Sequence, residues 1–126
     1  MRNKIQIVEQ ECLIDGRRLL DLLREVELPQ AKKDGTPSVA GSYGPGLYRD
    51  VFETSKELAA SGGAKEVVGL LCECGAWGCW NLSFIIQIGD EAVTWRDFSH
   101  SHRDWDYRQL GPFVFEREQY LVATAG

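Results

Sequence analysis

From Trp80 to Ile88 apolar and polar residues alternate with one exception. Trp80, Leu82, Phe84, Ile86 and Ile88 are apolar, Asn81, Ser83 and Gln87 are polar, and only Ile85 is out of phase. A period of two marks a strand with one buried face. Similar runs lie on either side, over residues 67–74 and 91–98. Gly89-Asp90 fits a two-residue type II′ turn, which sets Ile86 opposite Val93 and Phe84 opposite Trp95. At the other end, Ala76-Trp77-Gly78 reads as a three-residue loop. It places Cys72 opposite Leu82, Leu70 opposite Phe84 and Val68 opposite Ile86, all on one face. A slip of one residue would set Leu70 against Ser83 and mix core with polar positions.

Helical and turn signals account for most of the remainder. Ile5–Ile14 reads as one imperfectly alternating strand, ended by the turn pair Asp15-Gly16. Leu19, Leu22, Leu23 and Val26 then recur at helical spacing, and Pro29 is expected to close that helix. Residues 29–46 hold three prolines and four glycines and read as a long loop. Its Gly41-Ser42-Tyr43-Gly44-Pro45-Gly46 lacks the preceding strand and following Lys-Ser/Thr of a phosphate loop. A helix is expected over residues 47–60, with Leu47, Val51, Phe52 and Leu58 inward and Gly62-Gly63 as its stop. Leu110–Phe115 reads as an edge strand, because Pro112 cannot donate to a ladder. Residues 116–125 read as a last helix, with Tyr120, Leu121 and Thr124 inward. The predicted fold is a single α+β domain over residues 1–126: a mostly antiparallel sheet with two or three helices on one face.

Composition narrows the function classes. The chain has 126 residues, a net charge of −5 and 44% hydrophobic content, the profile of one globular domain. An acidic chain with scattered Lys and Arg is not expected to bind nucleic acid, which requires replacement of phosphate counterions. No stretch has the length and apolarity of a membrane span, and no signal-peptide block follows Met1. Cytoplasm is therefore the expected location.

The candidate chemistry lies in cysteines and aromatics. Cys72, Cys74 and Cys79 form a C-x-C-x4-C cluster. Three soft thiolates plus His102, or its neighbour His100, would complete a tetrahedral structural zinc site. The paired C-x2-C knuckles of recognisable zinc sites are absent. The strand register instead makes Cys72 and Cys74 core residues and turns Cys79 to the other face. Cys12, alone in an apolar setting, reads as a buried small hydrophobe. A thiol oxidoreductase with Cys79 attacking and Cys74 resolving lacks both C-x-x-C and a nearby cation to lower a thiol pKa. Ser99, Ser101, His102, Asp104 and Asp106 could be written as a triad, but no nucleophile elbow accompanies them. Aromatics in the expected loops, Tyr43, Trp77, Trp105 and Tyr107, are candidate contact residues, since Tyr and Trp are enriched at binding hot spots.

Several of these residues fall in a larger pattern. Cys72-Glu73-Cys74-Gly75…Gly78-Cys79-Trp80, Val93-Thr94-Trp95-Arg96-Asp97-Phe98, His102-Arg103, Trp105-Asp106-Tyr107 and Leu110–Phe115 together resemble a family of uncharacterised bacterial proteins. The likeness covers residues 66–121 and is loose before them. Some members carry an oxidoreductase label, and the family usually has Glu-Pro where this chain has Ala76-Trp77. The resemblance implies a bacterial cytosolic protein and favours His102 over His100 within its pattern. The expected function is a non-enzymatic interaction or accessory domain with a protein partner and no cofactor. The alternatives are a structural zinc domain and a thiol-dependent oxidoreductase.

Overall fold

In the computed structural model, which describes residues 2–73 and 79–125, the chain opens with a small antiparallel meander. Its strands are β1 (Ile5–Val8), β2 (Glu11–Ile14) and β3 (Arg17–Arg18). The single strand expected over Ile5–Ile14 is thus corrected to a hairpin. Glu9 and Gln10 turn it with φ of 51° and 73°, the left-handed pair of a type I′ turn made without glycine. Folding back sets Ile5 against Ile14 and Ile7 against Cys12, so that the pairs share one face and Ile5, Cys12 and Ile14 are buried. Asp15-Gly16 makes the next turn as expected, with both residues at positive φ.

The helix α1 (Leu19–Lys33) does not stop at Pro29. Proline removes the bond to the carbonyl of Glu25, four residues back. Both Pro29 and Glu25 lie on the exposed side, where water can take the freed carbonyl. Buried Leu19, Leu23, Glu27 and Ala31 hold the other side down, and this tertiary anchoring overrides the proline signal.

A second helix, α2 (Arg49–Ser61), ends at Gly62 with φ of 72°. The main sheet follows, with β4 (Gly63–Leu71), β5 (Asn81–Ile88), β6 (Ala92–His100) and β7 (Phe113–Glu116) antiparallel in that order. The last helix is α3 (Arg117–Thr124), whose N-cap Glu116 accepts the backbone N–H groups of Glu118 and Gln119. Against the sheet, α2 lies over β4 and β5, while α3 lies over β6 and β7 and reaches β1. The α+β expectation therefore holds for the described residues. None of their helices is long and apolar enough to cross a membrane.

Both strand registers differ from expectation, in opposite senses: the centre of the β5–β6 pairing moves towards the C-terminus and that of the β4–β5 pairing towards the N-terminus. Asp90-Glu91 sits at the β5–β6 tip, with Gly89 N–H on the Ala92 carbonyl at 3.0 Å. Ile86 therefore faces Trp95, and Ile88 faces Val93. The shift is even, so the apolar residues keep their common face. Between β4 and β5, Leu70 pairs with Leu82 and Val67 with Phe84, across a bulge at Gly69. The expected pairings of Leu70 with Phe84, Val68 with Ile86 and Cys72 with Leu82 are corrected accordingly; the Cys72 N–H instead meets the Trp80 carbonyl at 2.9 Å. Phe84 supplies the reason. A Cβ on Gly69 would stand 2.2 Å from its ring, so the strand crosses the aromatic face only as glycine. The expected loop Ala76-Trp77-Gly78 lies outside the described residues.

A second irregularity, opposite Phe84, positions part of the candidate site. Pairing of β5 with β6 shifts between Ser83 and Ile85, and Asp97 adopts φ of 58°. The extra residue changes the phase of β6, so that Phe98 and His100 are buried along with Val93 and Trp95. Trp95 lies at the centre of the core, with ring centroids of Phe84, Phe115 and Tyr120 at 4.5, 5.3 and 6.0 Å. Its indole N–H meets the Tyr120 hydroxyl at 3.1 Å, and that hydroxyl pairs with Ser55 at 2.6 Å.

Candidate functional site

Three places in the fold gather chemistry. The first is a buried carboxylate that joins three distant segments. Glu27, fully buried on α1, accepts the Tyr43 and Tyr107 hydroxyls on Oε2, each at 2.6 Å, and the Gly41 N–H on Oε1 at 2.7 Å. Burial pushes both tyrosine hydroxyls well above their ordinary pKa, and the charge of Glu27 adds to the shift. They therefore stay protonated and serve as donors. Around this point residues 105–107 form a strap along α1. Trp105 Nε1–H donates to Asp34 at 2.9 Å, Asp106 exchanges two bonds with the Gln30 amide, and Tyr107 reaches Glu27. One segment thus reads three successive turns of the helix.

Tyr43 and Tyr107, singled out in the sequence as contact residues, are only 4% and 6% exposed. They spend their hydroxyls inside the protein. Trp105 is half-buried with Arg103 5.2 Å above its ring, and Trp77 lies outside the described residues. Glu27 is the member of this cluster that the sequence reading does not single out. Its signal is the stripe Leu19, Leu23, Glu27, Ala31, a carboxylate at a core position of an amphipathic helix.

The second place is the corner where β4, β5 and the end of β6 meet. Cys72 is buried, and Tyr43 bridges it along the β4 edge. The ring nitrogen Nε2 of exposed His102 contacts the carbonyl of Cys79, 23 residues away in the chain. His100 Nδ1 accepts the backbone N–H of His102 at 3.0 Å, and its ring lies 6.3, 6.2 and 5.4 Å from those of Tyr43, Trp80 and Trp105. Burial, followed by the charges of Arg103 and His102, lowers its pKa to about 4. His100 is accordingly neutral at pH 7, with its proton on Nε2, because Nδ1 is used as an acceptor. The fold brings Cys72, Cys79 and His102 to this corner, while Cys74 lies outside the described residues. Among the described residues no group of three or more His, Cys, Asp or Glu side chains is placed to hold a metal.

The third place is a groove between α2 and the end of α3, with a volume of about 1060 Å³. The core face of α2 carries Val51, Thr54, Ser55 and Leu58. A second stripe, Arg49, Phe52, Glu53, Lys56 and Ala59, forms one wall of the groove. Leu121 and Ala123 to Ala125 form the other wall, and Ile7, Gln10 and Leu47 complete the lining. Phe52, Leu121 and Ile7 also pack against the core cluster. No titratable pair within hydrogen-bonding reach lines it, and its chemistry is that of contact: apolar in the middle, charged along α2. The lining comes from three separated parts of the chain, which is why no local motif marks it.

No family model, curated protein or solved structure matches the chain.

Proposed function

We propose that the protein is a non-enzymatic binding module that works by holding another protein in the groove between α2 and α3. The observation that carries this reading is the groove itself: about 1060 Å³, with apolar Ile7, Leu47, Phe52 and Leu121 in its lining. The groups that acid–base chemistry would draw on favour the same reading. Glu27, Tyr43, Tyr107 and His100 Nδ1 are all engaged by the protein itself. A bacterial source and a cytoplasmic location, implied by the resemblance of residues 66–121, belong to the same proposal. The test is affinity capture from source cells with the wild-type chain and with Phe52→Asp. A partner retained by the first and lost by the folded variant is the expected result; an identical set retained by both would place the contact elsewhere.

A second reading is a structural zinc site on Cys72, Cys74, Cys79 and His102; His102 lies beside the backbone of Cys79, with its Nε2 at the Cys79 carbonyl. Elemental analysis of protein purified without chelator decides it. About one equivalent of zinc, lost on Cys72→Val together with the fold, is what a structural site requires.

A further inference from the structure

The charges along the groove say what kind of segment it fits. Arg49, Glu53 and Lys56 stand at i, i+4 and i+7 on α2, in the order plus, minus, plus. Steps of four and three residues on a helix are about 6 and 4.5 Å of rise, so the three charges line the groove at roughly one per turn. The apolar positions of the same stripe, Phe52 and Ala59, are seven residues apart, the repeat with which one helix meets another. Arg49 is held 5.6 Å over the Tyr48 ring at the head of the stripe. Across the groove, α3 supplies Leu121, Ala123 and Thr124, and Ala125 follows at its C-cap; the three residues after Val122 are small and leave room for the bulk of an incoming side chain.

Resting on the binding-module reading above, we propose that the occupant is an amphipathic helix of a partner protein. Its apolar face carries large residues at i, i+3 or i+4, and i+7, and acidic residues beside that face meet Arg49 and Lys56. An alternating rim suits a helix, which can offer charges of either sign one turn apart. It suits a lipid surface poorly, because Glu53 would meet a uniformly anionic headgroup layer. It suits a second copy of this chain poorly too: a like stripe of plus, minus, plus matches itself only in staggered register. The rim would act mainly through partner choice, by repelling the wrong charge.

The test uses the full chain and three labelled helical peptides that share one Leu-rich face. They differ only at two flanking positions, which are Glu, Gln or Lys. Binding is read by fluorescence anisotropy at physiological salt. The Glu peptide is expected to bind about tenfold tighter than the Lys peptide, with the Gln peptide between, as two exposed ion pairs turned to repulsion imply. The double variant Arg49→Glu/Lys56→Glu, both residues exposed, is expected to invert that order. Equal affinity for all three peptides overturns the charge assignment and leaves the groove as a contact surface. Binding of none at millimolar concentration overturns both. Association with anionic phosphatidylglycerol vesicles in place of the peptides, or a dimer that Phe52→Asp abolishes, would hand the groove to a membrane or to a second copy and overturn the inference.

Discussion

Replacing Glu27 with Ala removes one acceptor and strands three donors: the Tyr43 hydroxyl, the Tyr107 hydroxyl and the Gly41 N–H. Glu27 and both tyrosines are buried, so water does not readily take over. A buried polar group left without a partner costs about 1–3 kcal/mol. Three of them, partly relieved by relaxation, imply a loss of about 4–6 kcal/mol. A chain of 126 residues is stable by roughly 6–19 kcal/mol at 0.05–0.15 kcal/mol per residue. Glu27→Ala should therefore unfold at a much lower urea concentration than the wild type. The sign of the tyrosine effects should depend on Glu27. Tyr43→Phe or Tyr107→Phe in the wild type should each cost about 1.5–3 kcal/mol, the worth of a hydrogen bond to a charged group. In the Glu27→Ala background the same changes should stabilise, because phenylalanine strands nothing. Urea unfolding followed by tryptophan fluorescence reads all of these. A Glu27→Ala cost below about 1 kcal/mol, or Phe substitutions that destabilise equally in both backgrounds, would refute the account of Glu27 as the joint of three segments.

Three further outcomes follow from named contacts. His100 has its pKa lowered from 6.5 to about 4, so the unfolded chain binds the extra proton first. Stability should fall as pH drops from about 6.5 towards 4, by at most about 3 kcal/mol at 1.36 kcal/mol per unit. His100→Asn, whose amide oxygen can replace Nδ1 as acceptor, should flatten this slope in urea melts at pH 7 and 4.5, and an unchanged slope would exclude His100 as its source. Gly69→Ala should cost about 1–3 kcal/mol by overpacking against Phe84, and Phe84→Leu should relieve part of that cost. Cys12, whose thiol burial pushes up to about 12, should resist a disulfide reagent at pH 8 in the native chain and react only on unfolding; rapid native labelling would contradict its burial.

The elements that follow a clean period were legible in the sequence. Alternation over residues 80–88 and 91–98 located β5 and β6, Gly62-Gly63 located the end of α2, and Asp15-Gly16 located the turn after β2. What escaped the pattern is what one side chain imposes on a distant one. The bulge at Gly69 exists because of the Phe84 ring, and the phase change at Asp97 turns His100 inward. The turn at Glu9-Gln10 carries neither glycine nor asparagine, and Pro29 is overruled by the anchored side of α1. For the candidate site the limit is similar. Tyr43 and Tyr107 were visible as unusual loop aromatics, but their common partner Glu27 sits inside a helix whose apolar repeat conceals it. The groove had no signature at all, since Ile7, Phe52 and Leu121 meet only after folding.

The direct test of the central claim is a map of the contact surface. Amide shifts of the full chain are followed by NMR as the Glu-flanked helical peptide is added. The account predicts that shifts concentrate at Ile7, at Leu47 to Ala59 and at Leu121 to Ala125, with residues 100–107 unmoved. Shifts centred on residues 100–107 and on Cys72 and Cys79, with the groove silent, would contradict it.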